Sequence, residues 1–343
     1  ESNWATCPKN IKHLWSHARF GKLLTETFQE AIMLKQIHRS KEDLSWTESC
    51  LRLRDFTCTF EGDWAVWKQH DLDREHLNKE QVEYFENKAL WLCARCEDVG
   101  QRNGRKLAEI AEKEKQLIHQ IHALHSHKSA KKCTASVFDG LRGVVNLVRG
   151  CKVVLTRNVA YKFGLANGTR GIFISAVYGP GGVGTFPEAL ICEFPDYCGD
   201  HFYKDEPKWV PIVPKVAYKD KSKMSRTQFP LVAGFALTVN KAQGLTVKEG
   251  VVIHLVSSSR KFKPASKHGL PFVAFTRSES FAMTAFKNIP AWEDFQKGSE
   301  SDMLKMRLRF TGNPDTSATA DTGNNLAAWP SNIYMFSCTM GFK

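Results

Sequence analysis

The most constraining feature of the sequence is a change of pattern between about residues 144 and 216. Short runs of β-branched and other apolar residues alternate there with turn residues such as Asn167-Gly168. Short strands separated by turns at this spacing predict a small antiparallel β-barrel. The runs that predict its strands are 153–155, 172–174, 190–192 and 209–213.

The segments on either side of this region have mixed α/β character. Helical spacing of apolar residues predicts helices over most of residues 14–125. The clearest sets are Phe20, Leu23, Leu24, Phe28 and Ile32, followed by Leu107, Ile110, Leu117 and Ile121. Apolar runs at 31–34 and 91–96 are compatible with buried strands. After the barrel come an apolar segment that ends at Gly244, a strand at 251–256 and a helical segment at 272–277.

An α/β segment, a barrel and a second α/β segment predict one parallel-sheet domain interrupted by an inserted barrel. Residues 217–228 are expected to be a basic, flexible connector, because five basic residues lie between Lys215 and Arg226. The tail is expected to be largely disordered, because it is rich in small and polar residues without periodicity. The predicted divisions are 1–30, 31–143 with 229–297 as the parallel-sheet domain, 144–216 as the barrel, 217–228 and 298–343.

The net charge of +12 favours an anionic partner, and nucleic acid is the commonest of these. No apolar run approaches the roughly 20 residues that a membrane-spanning helix needs. Ten Cys in 343 residues are too few for a disulfide scaffold, and we expect a reducing compartment. No signal peptide is expected, and a chain that begins with Glu1 is expected to be a fragment or a processed product.

Two patterns resemble motifs without satisfying them. The glycines from Gly179 to Gly184 fit a dinucleotide-loop spacing, but a strand rather than a helix is predicted next, so we expect a hairpin loop. Cys93 and Cys96 could form half of a zinc site. Its remaining ligands would come from Cys192, Cys198 and His201 in a different predicted domain, so we favour buried thiols and no metal site.

The segment 230–246 carries the most chemical information. Small and apolar residues lead to polar residues at one end, where Gly244 suits the left-handed position that follows a helix. We therefore expect a buried segment that presents a polar, cationic tip at a cleft. An ordinary buried helix with a hydrated end has the same composition. The polar residues of the tip are Thr238, Asn240, Lys241 and Gln243.

This segment resembles motif V of superfamily-one DNA helicases of the petite-integration-frequency and RecD type, usually Ala-x-Thr-Ile-His-Lys-Ser-Gln-Gly. Asn240 replaces the His of that motif and Ala242 replaces its Ser. Residues 272–277 resemble motif VI, which ends in Arg277, and residues 34–39 resemble motif IV, which ends in Arg39. Residues 150–158 and 164–171 resemble the segment that opens the inserted barrel of the family.

The resemblance implies the second of two RecA-like motor domains, interrupted by the small barrel. In such helicases ATP binds between the two motor domains, and single-stranded DNA lies across both. The phosphate loop and the Mg²⁺-binding acidic motif belong to the first domain and have no counterpart here. The chain therefore resembles the C-terminal half of a helicase. Residues 1–30 would be a remnant of the first domain or a linker.

The resemblance also implies roles for individual residues. Arg277 is the first candidate for an arginine finger, and Arg39 is the second; an ion pair with Glu42 or Asp43 is an equally weighted role for Arg39. Gln243 and Gly244 would couple the nucleotide to the DNA. The expected DNA contacts are Thr238, Asn240 and Lys241, together with Lys219, Lys221 and Lys223 of the basic connector.

The implied function is that of an ATP-dependent DNA helicase, inactive alone, which uses ATP and Mg²⁺ bound mainly by the missing first domain. The implied partners are single-stranded DNA and that domain in cis, in a monomer without membrane contact. The implied location is the nucleus or another DNA-containing compartment, with roles in repair, recombination and telomere maintenance. The alternatives are a non-enzymatic single-stranded nucleic-acid-binding module and a mobile-element remnant.

Overall fold

The computed structural model describes residues 38–55, 57–219, 223–256 and 269–296. The chain divides into two compact units, and the unit Arg39–Gly298 holds all of the described residues except His38. The predicted strand at 31–34, the helical set from Phe20 to Ile32 and the tail all lie outside the described residues. None of the helices in the described ranges is both long and apolar enough to cross a membrane.

The described chain alternates helices with mostly short strands. The α-helices are α1 (Leu44–Asp55), α2 (Ala65–Lys68), α3 (Lys79–Asn87), α4 (Cys96–Lys113), α5 (Leu270–Phe275) and α6 (Trp292–Gln296). The strands are β1 (Leu90–Cys93), β2 (His119–His122), β3 (Leu124–His125), β4 (Val144–Leu147), β5 (Lys152–Leu155), β6 (Arg170–Val177), β7 (Ala189–Glu193), β8 (Trp209–Ile212), β9 (Lys215–Tyr218), β10 (Ser225–Gln228), β11 (Leu231–Ala233), β12 (Ala236–Thr238), β13 (Val251–His254) and β14 (Thr284–Phe286).

Four of these strands form a parallel sheet in the order β12-β1-β13-β14. All four residues of β1 are buried, because each face of this strand packs against a hydrophobic core. Leu90 and Leu92 belong to one core, and Trp91 and Cys93 belong to the other. A continuous apolar run is typical of a strand that is covered on both faces of a parallel sheet. The predicted mixed α/β fold with a parallel sheet is therefore confirmed.

A five-stranded antiparallel sheet has the order β11-β5-β6-β7-β8. The four predicted strands in the 144–216 region are confirmed, and the glycine loop from Gly179 to Gly184 joins β6 to β7 as a hairpin. Within the described residues the ladder has two edges, β11 and β8, and no hydrogen-bonded pairing joins them into a barrel. The sheet also recruits β11, which the sequence pattern assigned to the parallel-sheet domain.

The chain passes directly from the antiparallel sheet to the parallel sheet at Gly234. A Cβ atom at this position would lie 2.8 Å from Val154 Cγ2 and 3.0 Å from Val153 C, so only glycine fits without a shift of the neighbouring strand. The side chain of Asn103 on α4 holds the junction. Its Oδ1 accepts hydrogen bonds from the backbone N–H groups of Phe235 and Ala236, and its Nδ2 donates to Ala233 O.

The predicted helix through Leu117 and Ile121 is wrong. Helix α4 ends at Lys113, and Lys115 adopts a left-handed conformation with φ of 50°. The N–H of Gln116 then donates to Ala111 O, which closes the helix end. Leu117 is 88% exposed, and Ile121 is buried in β2, which pairs with β4.

The predicted basic connector is also wrong, because most of it is folded. Strands β9 and β10 pair as an antiparallel hairpin, and β10 pairs with β3 on its other side. Arg226, counted as part of the connector, is 1% exposed. Its guanidinium donates to Leu141 O, Ala130 O and Cys133 O, and it lies 4.4 Å from the ring centre of Phe138. The inner side of this three-stranded sheet is thereby fixed to the segment 130–141.

Candidate nucleotide and nucleic-acid site

A series of tight turns follows β12 and carries most of the predicted polar tip. The backbone N–H groups of Lys241 and Ala242 both donate to Thr238 O, at 2.9 and 3.1 Å. The N–H of Leu245 donates to Ala242 O at 3.0 Å, and Gly244 has φ of 88°. The segment is thus a strand followed by turns, and the predicted helix is wrong. We call residues 238–245 the motif V turn.

The motif V turn separates apolar from polar side chains. Val239 and Ala242 are fully buried, and Thr238 is half-buried. Asn240, Lys241, Gln243 and Gly244 are exposed. The predicted buried segment with a polar, cationic tip is therefore confirmed, although strands and turns form it.

Arg277 lies just after α5 and is packed against the motif V turn. Its side chain is almost fully buried, with 8% exposure. Nη1 donates to Leu245 O at 3.1 Å and approaches Ala242 O at 3.5 Å, and Nε donates to Val273 O at 2.8 Å. Nη2 donates to Thr276 Oγ1 at 3.0 Å. The guanidinium therefore holds the motif V turn through backbone carbonyl groups.

Arg39 joins the same cluster from the opposite end of the described chain. Its Nε donates to Thr246 Oγ1 at 2.9 Å, and its Nη1 donates to Thr276 O at 2.7 Å. Arg39 thus links Thr246, which follows the motif V turn, to Thr276, which precedes Arg277. The hydrogen bonds of Arg39 are to these threonines, whereas Asp43 accepts from the backbone N–H groups of Trp46 and Phe281.

Two guanidinium groups therefore lie close together in a partly buried place. Burial, followed by the neighbouring charge of Arg39, lowers the pKa of Arg277 to about 10. Burial also lowers the pKa of Arg39, although the Glu279 carboxylate opposes this shift. Desolvation by the surrounding protein and the charge of Arg142 lower the pKa of Lys241 in the adjacent turn. Like charges in contact destabilise one another, and an anion between them would relieve that repulsion.

The basic residues of the predicted connector lie in a separate element. Lys219 and Lys223 are exposed on the loop that joins β9 to β10, whereas Lys221 is outside the described residues. The loop before β6 contacts the motif V turn, because Gly168 lies against the Leu245 side chain. Arg170 in β6 forms an ion pair with Glu249, four residues beyond the turn.

The cysteine residues do not assemble into a metal site in the described part of the chain. Cys93 is buried in β1, where burial raises the pKa of its thiol to about 12, and Cys192 is buried in β7 of the other sheet. No group of three or more His, Cys, Asp or Glu side chains among the described residues could hold a metal ion.

Comparison with known proteins places this geometry in context. The ATP-dependent DNA helicase PIF1 of Homo sapiens is 27% identical over 162 residues, which are 46% of this chain. The Pif1 helicase from Candida albicans matches 82% of this chain with a TM-score of 0.61 and 22% identity. The chain is similar to Pif1 helicases. No family model matches it.

A second solved structure is that of the Pif1 helicase from Bacteroides in complex with ADP-AlF3 and single-stranded DNA. It matches 87% of this chain with a TM-score of 0.53 and 19% identity. At these identities the likeness to both Pif1 structures concerns the fold. The region matched to human PIF1 is 22% of the length of that protein, and this chain matches 60% of the Candida Pif1 structure.

Sequence reasoning missed Thr246, the residue whose hydroxyl accepts the hydrogen bond from Arg39. Thr246 is the last residue of the segment 230–246, and its place two positions after Gly244 was the only signal. Its partner is 207 positions away, so no local pattern could have identified the pair.

Proposed function

We propose that this chain is the C-terminal portion of an ATP-dependent DNA helicase that translocates on single-stranded DNA and unwinds duplex. One observation carries the proposal: three distant segments, each resembling a different helicase motif, meet at the two guanidinium groups of Arg39 and Arg277. Similarity to Pif1 helicases supports the assignment as a DNA helicase. The meeting of the three segments at two arginines supports an activity that depends on a nucleotide.

In this proposal Arg277 and Arg39 supply positive charge to the phosphoryl group that is transferred. An arginine finger acts on charge that develops in the transition state, and its planar fork suits phosphate oxygens. Arg277 already donates to the carbonyls of the motif V turn. When it turns to phosphate, it gives up one or more of these bonds, so the nucleotide state and the position of the turn are coupled through one side chain.

The motif V turn provides the DNA contacts. Thr238, Asn240 and Lys241 would bind phosphate or sugar, and Gln243 and Gly244 would transmit the nucleotide state. Lys219 and Lys223 on the β9–β10 loop would add phosphate contacts, as would Lys221, which lies outside the described residues. Contacts of this kind position the strand without reading its sequence, which suits a translocating motor.

The organisation that we propose is a second RecA-like domain with an inserted barrel-like module. Its parallel sheet would come from residues 31–143 and 229–297, and its antiparallel module would come from residues 144–216. Strands β2 and β11 would join that module, because β2 pairs with β4 and β11 pairs with β5. A first motor domain in cis would hold most of the ATP and Mg²⁺, and the protein would act as a monomer in a DNA-containing compartment. Without that domain the chain would not hydrolyse ATP.

DNA-stimulated ATP hydrolysis tests this proposal. The 343-residue chain alone should show no hydrolysis. The same chain joined to a first motor domain from a Pif1 helicase should hydrolyse ATP, and single-stranded DNA should stimulate it. The matched control is the first motor domain alone.

Three outcomes would contradict the proposal. Hydrolysis by the chain alone that Arg277→Ala abolishes would mean that the nucleotide cleft is complete without a second domain. Single-stranded DNA binding by the joined protein with no hydrolysis would favour a non-enzymatic nucleic-acid-binding module, which the basic β9–β10 hairpin also suits. A joined protein with neither property would favour a mobile-element remnant.

A further inference from the structure

The three-stranded sheet β3-β10-β9 exposes one face with an unusual composition. Thr227 pairs with Leu124 on one side and with Val216 on the other, so these three side chains form a row across the sheet. Ser225 pairs with Tyr218 in the next row on the same face. We call these five residues the outer face. Tyr218 is 65% exposed, Leu124 is 53% exposed and Val216 is 48% exposed.

The opposite face of the same sheet fixes this orientation. Ala217 and Arg226 alternate with the outer-face residues and are buried, at 2% and 1% exposure. The hydrogen bonds of Arg226 to Leu141 O, Ala130 O and Cys133 O hold the inner side against the segment 130–141. A one-residue slip would expose this guanidinium, so the outer face is a stable feature of the fold.

Exposed lysines border the outer face within the described residues, and Asp220, in the loop between Lys219 and Lys223, lies outside them. None of the five outer-face residues is acidic, and one end of the sheet is bordered by exposed lysines on two neighbouring segments. Ser126 Oγ donates to Lys223 O, and Ser129 Oγ contacts Met224 Sδ at 3.0 Å, which bring these segments together. The exposed lysines of this border are Lys128, Lys219 and Lys223.

We infer that the outer face binds single-stranded DNA, with a base stacked on Tyr218 and phosphates held by the bordering lysines. Exposed aromatic rings on a sheet with cationic borders bind single strands without sequence preference, because every base offers a flat face. The inference rests on the proposed DNA-binding function and adds a base-stacking contact at Tyr218 to the lysine contacts already proposed on the β9–β10 loop. Because the described border carries lysines, a polyanionic DNA strand fits it better than an uncharged or basic partner does.

Fluorescence anisotropy of a labelled oligothymidylate with the full chain tests the inference. Tyr218→Ala should weaken binding about tenfold, the size typical of one lost stacking contact, whereas Tyr218→Phe should bind like the unaltered chain. Tyr161→Ala is the matched control, because Tyr161 is 74% exposed and precedes a lysine but lies outside the outer face. Photo-cross-linking with an oligonucleotide that carries 5-iododeoxyuridine should attach the base to Tyr218.

The motif V turn variant Lys241→Ala separates the two proposals. If Lys241→Ala weakens binding but Tyr218→Ala does not, the outer-face inference is overturned and the proposed function survives. If the chain binds no oligothymidylate, both fail. Equal losses for Tyr218→Ala and Tyr161→Ala would overturn the inference, because any exposed tyrosine would then suffice. A polyglutamate peptide that binds through Tyr218 while DNA does not would also overturn it and assign the face to an acidic protein.

Discussion

Arg277 and Arg226 are both buried and both donate to backbone carbonyls, yet their surroundings differ. Arg226 is held by three carbonyl oxygens and lies over the Phe138 ring, while its buried Nε has no hydrogen-bond partner among the described residues. Arg277 is held by carbonyls and a hydroxyl, and burial, followed by the charge of the nearby Arg39 guanidinium, lowers its pKa to about 10. The neighbours of Arg226 are neutral carbonyls and an aromatic ring, whereas the neighbours of Arg277 include a second cation, whose own charge the Glu279 carboxylate partly offsets.

This difference teaches that burial alone does not distinguish a structural arginine from a functional one. No carboxylate within the described residues bonds to either guanidinium. What separates them is whether the neighbours are neutral and aromatic or carry the same charge. A pair of like charges costs stability unless a ligand offsets it. We therefore propose that Arg226 stabilises the fold and that the Arg39–Arg277 pair binds phosphate.

The largest expected effect is on turnover in the protein joined to a first motor domain. Arg277→Lys keeps the charge but removes the planar fork, and we expect the rate of ATP hydrolysis to fall about 10³-fold or more. Single-stranded DNA binding should persist, because Thr238 and Lys241 would supply the contacts and the bonds of Arg277 to the motif V turn go to Ala242 and Leu245. The measurement is steady-state hydrolysis together with oligonucleotide anisotropy. Normal turnover with Lys at 277 would remove Arg277 from this role and leave Arg39 as the leading candidate.

A smaller effect is expected on stability at the other arginine. Arg226→Met should lower the free energy of unfolding of the chain by about 2–4 kcal/mol, because three backbone carbonyl oxygens lose the hydrogen bonds that Arg226 donates. Urea denaturation followed by circular dichroism measures this change. Arg105→Met on α4 is the control, since its side chain is 74% exposed, and it should change stability by less than about 0.5 kcal/mol. Equal effects for the two variants would mean that Arg226 does not stabilise the fold.

The sequence predicted those features of the fold that depend on local pattern. The strands β5 to β8 were predictable because apolar runs and turn residues alternate, and β1 was predictable because its run is continuously apolar. The helix end at Lys115 was not, since a lysine in the left-handed conformation gives no signal in the sequence. The burial of Arg226 was hidden for another reason: its partners at 130, 133 and 141 lie more than 80 positions away.

The candidate site was predictable only through the resemblance of its motifs. Composition indicated a polar tip after an apolar segment, and the structure supplies that tip from a strand and turns. The contacts of Arg39 with Thr246 and Thr276 span more than 200 positions, so their convergence is a property of the fold. The resemblance named Arg39 and Arg277 separately, and only the structure brings them together.

The most direct test of the central claim is whether an anion stabilises the chain through the arginine pair. Thermal unfolding is compared in pyrophosphate and in chloride at equal ionic strength, for the unaltered chain and for Arg39→Ala and Arg226→Lys. Pyrophosphate should raise the melting temperature of the unaltered chain by about 2–4 °C, which corresponds to about 1 kcal/mol of binding. The rise should be lost in Arg39→Ala and kept in Arg226→Lys. The same rise in Arg39→Ala as in the unaltered chain would contradict the claim that this pair is an anion site.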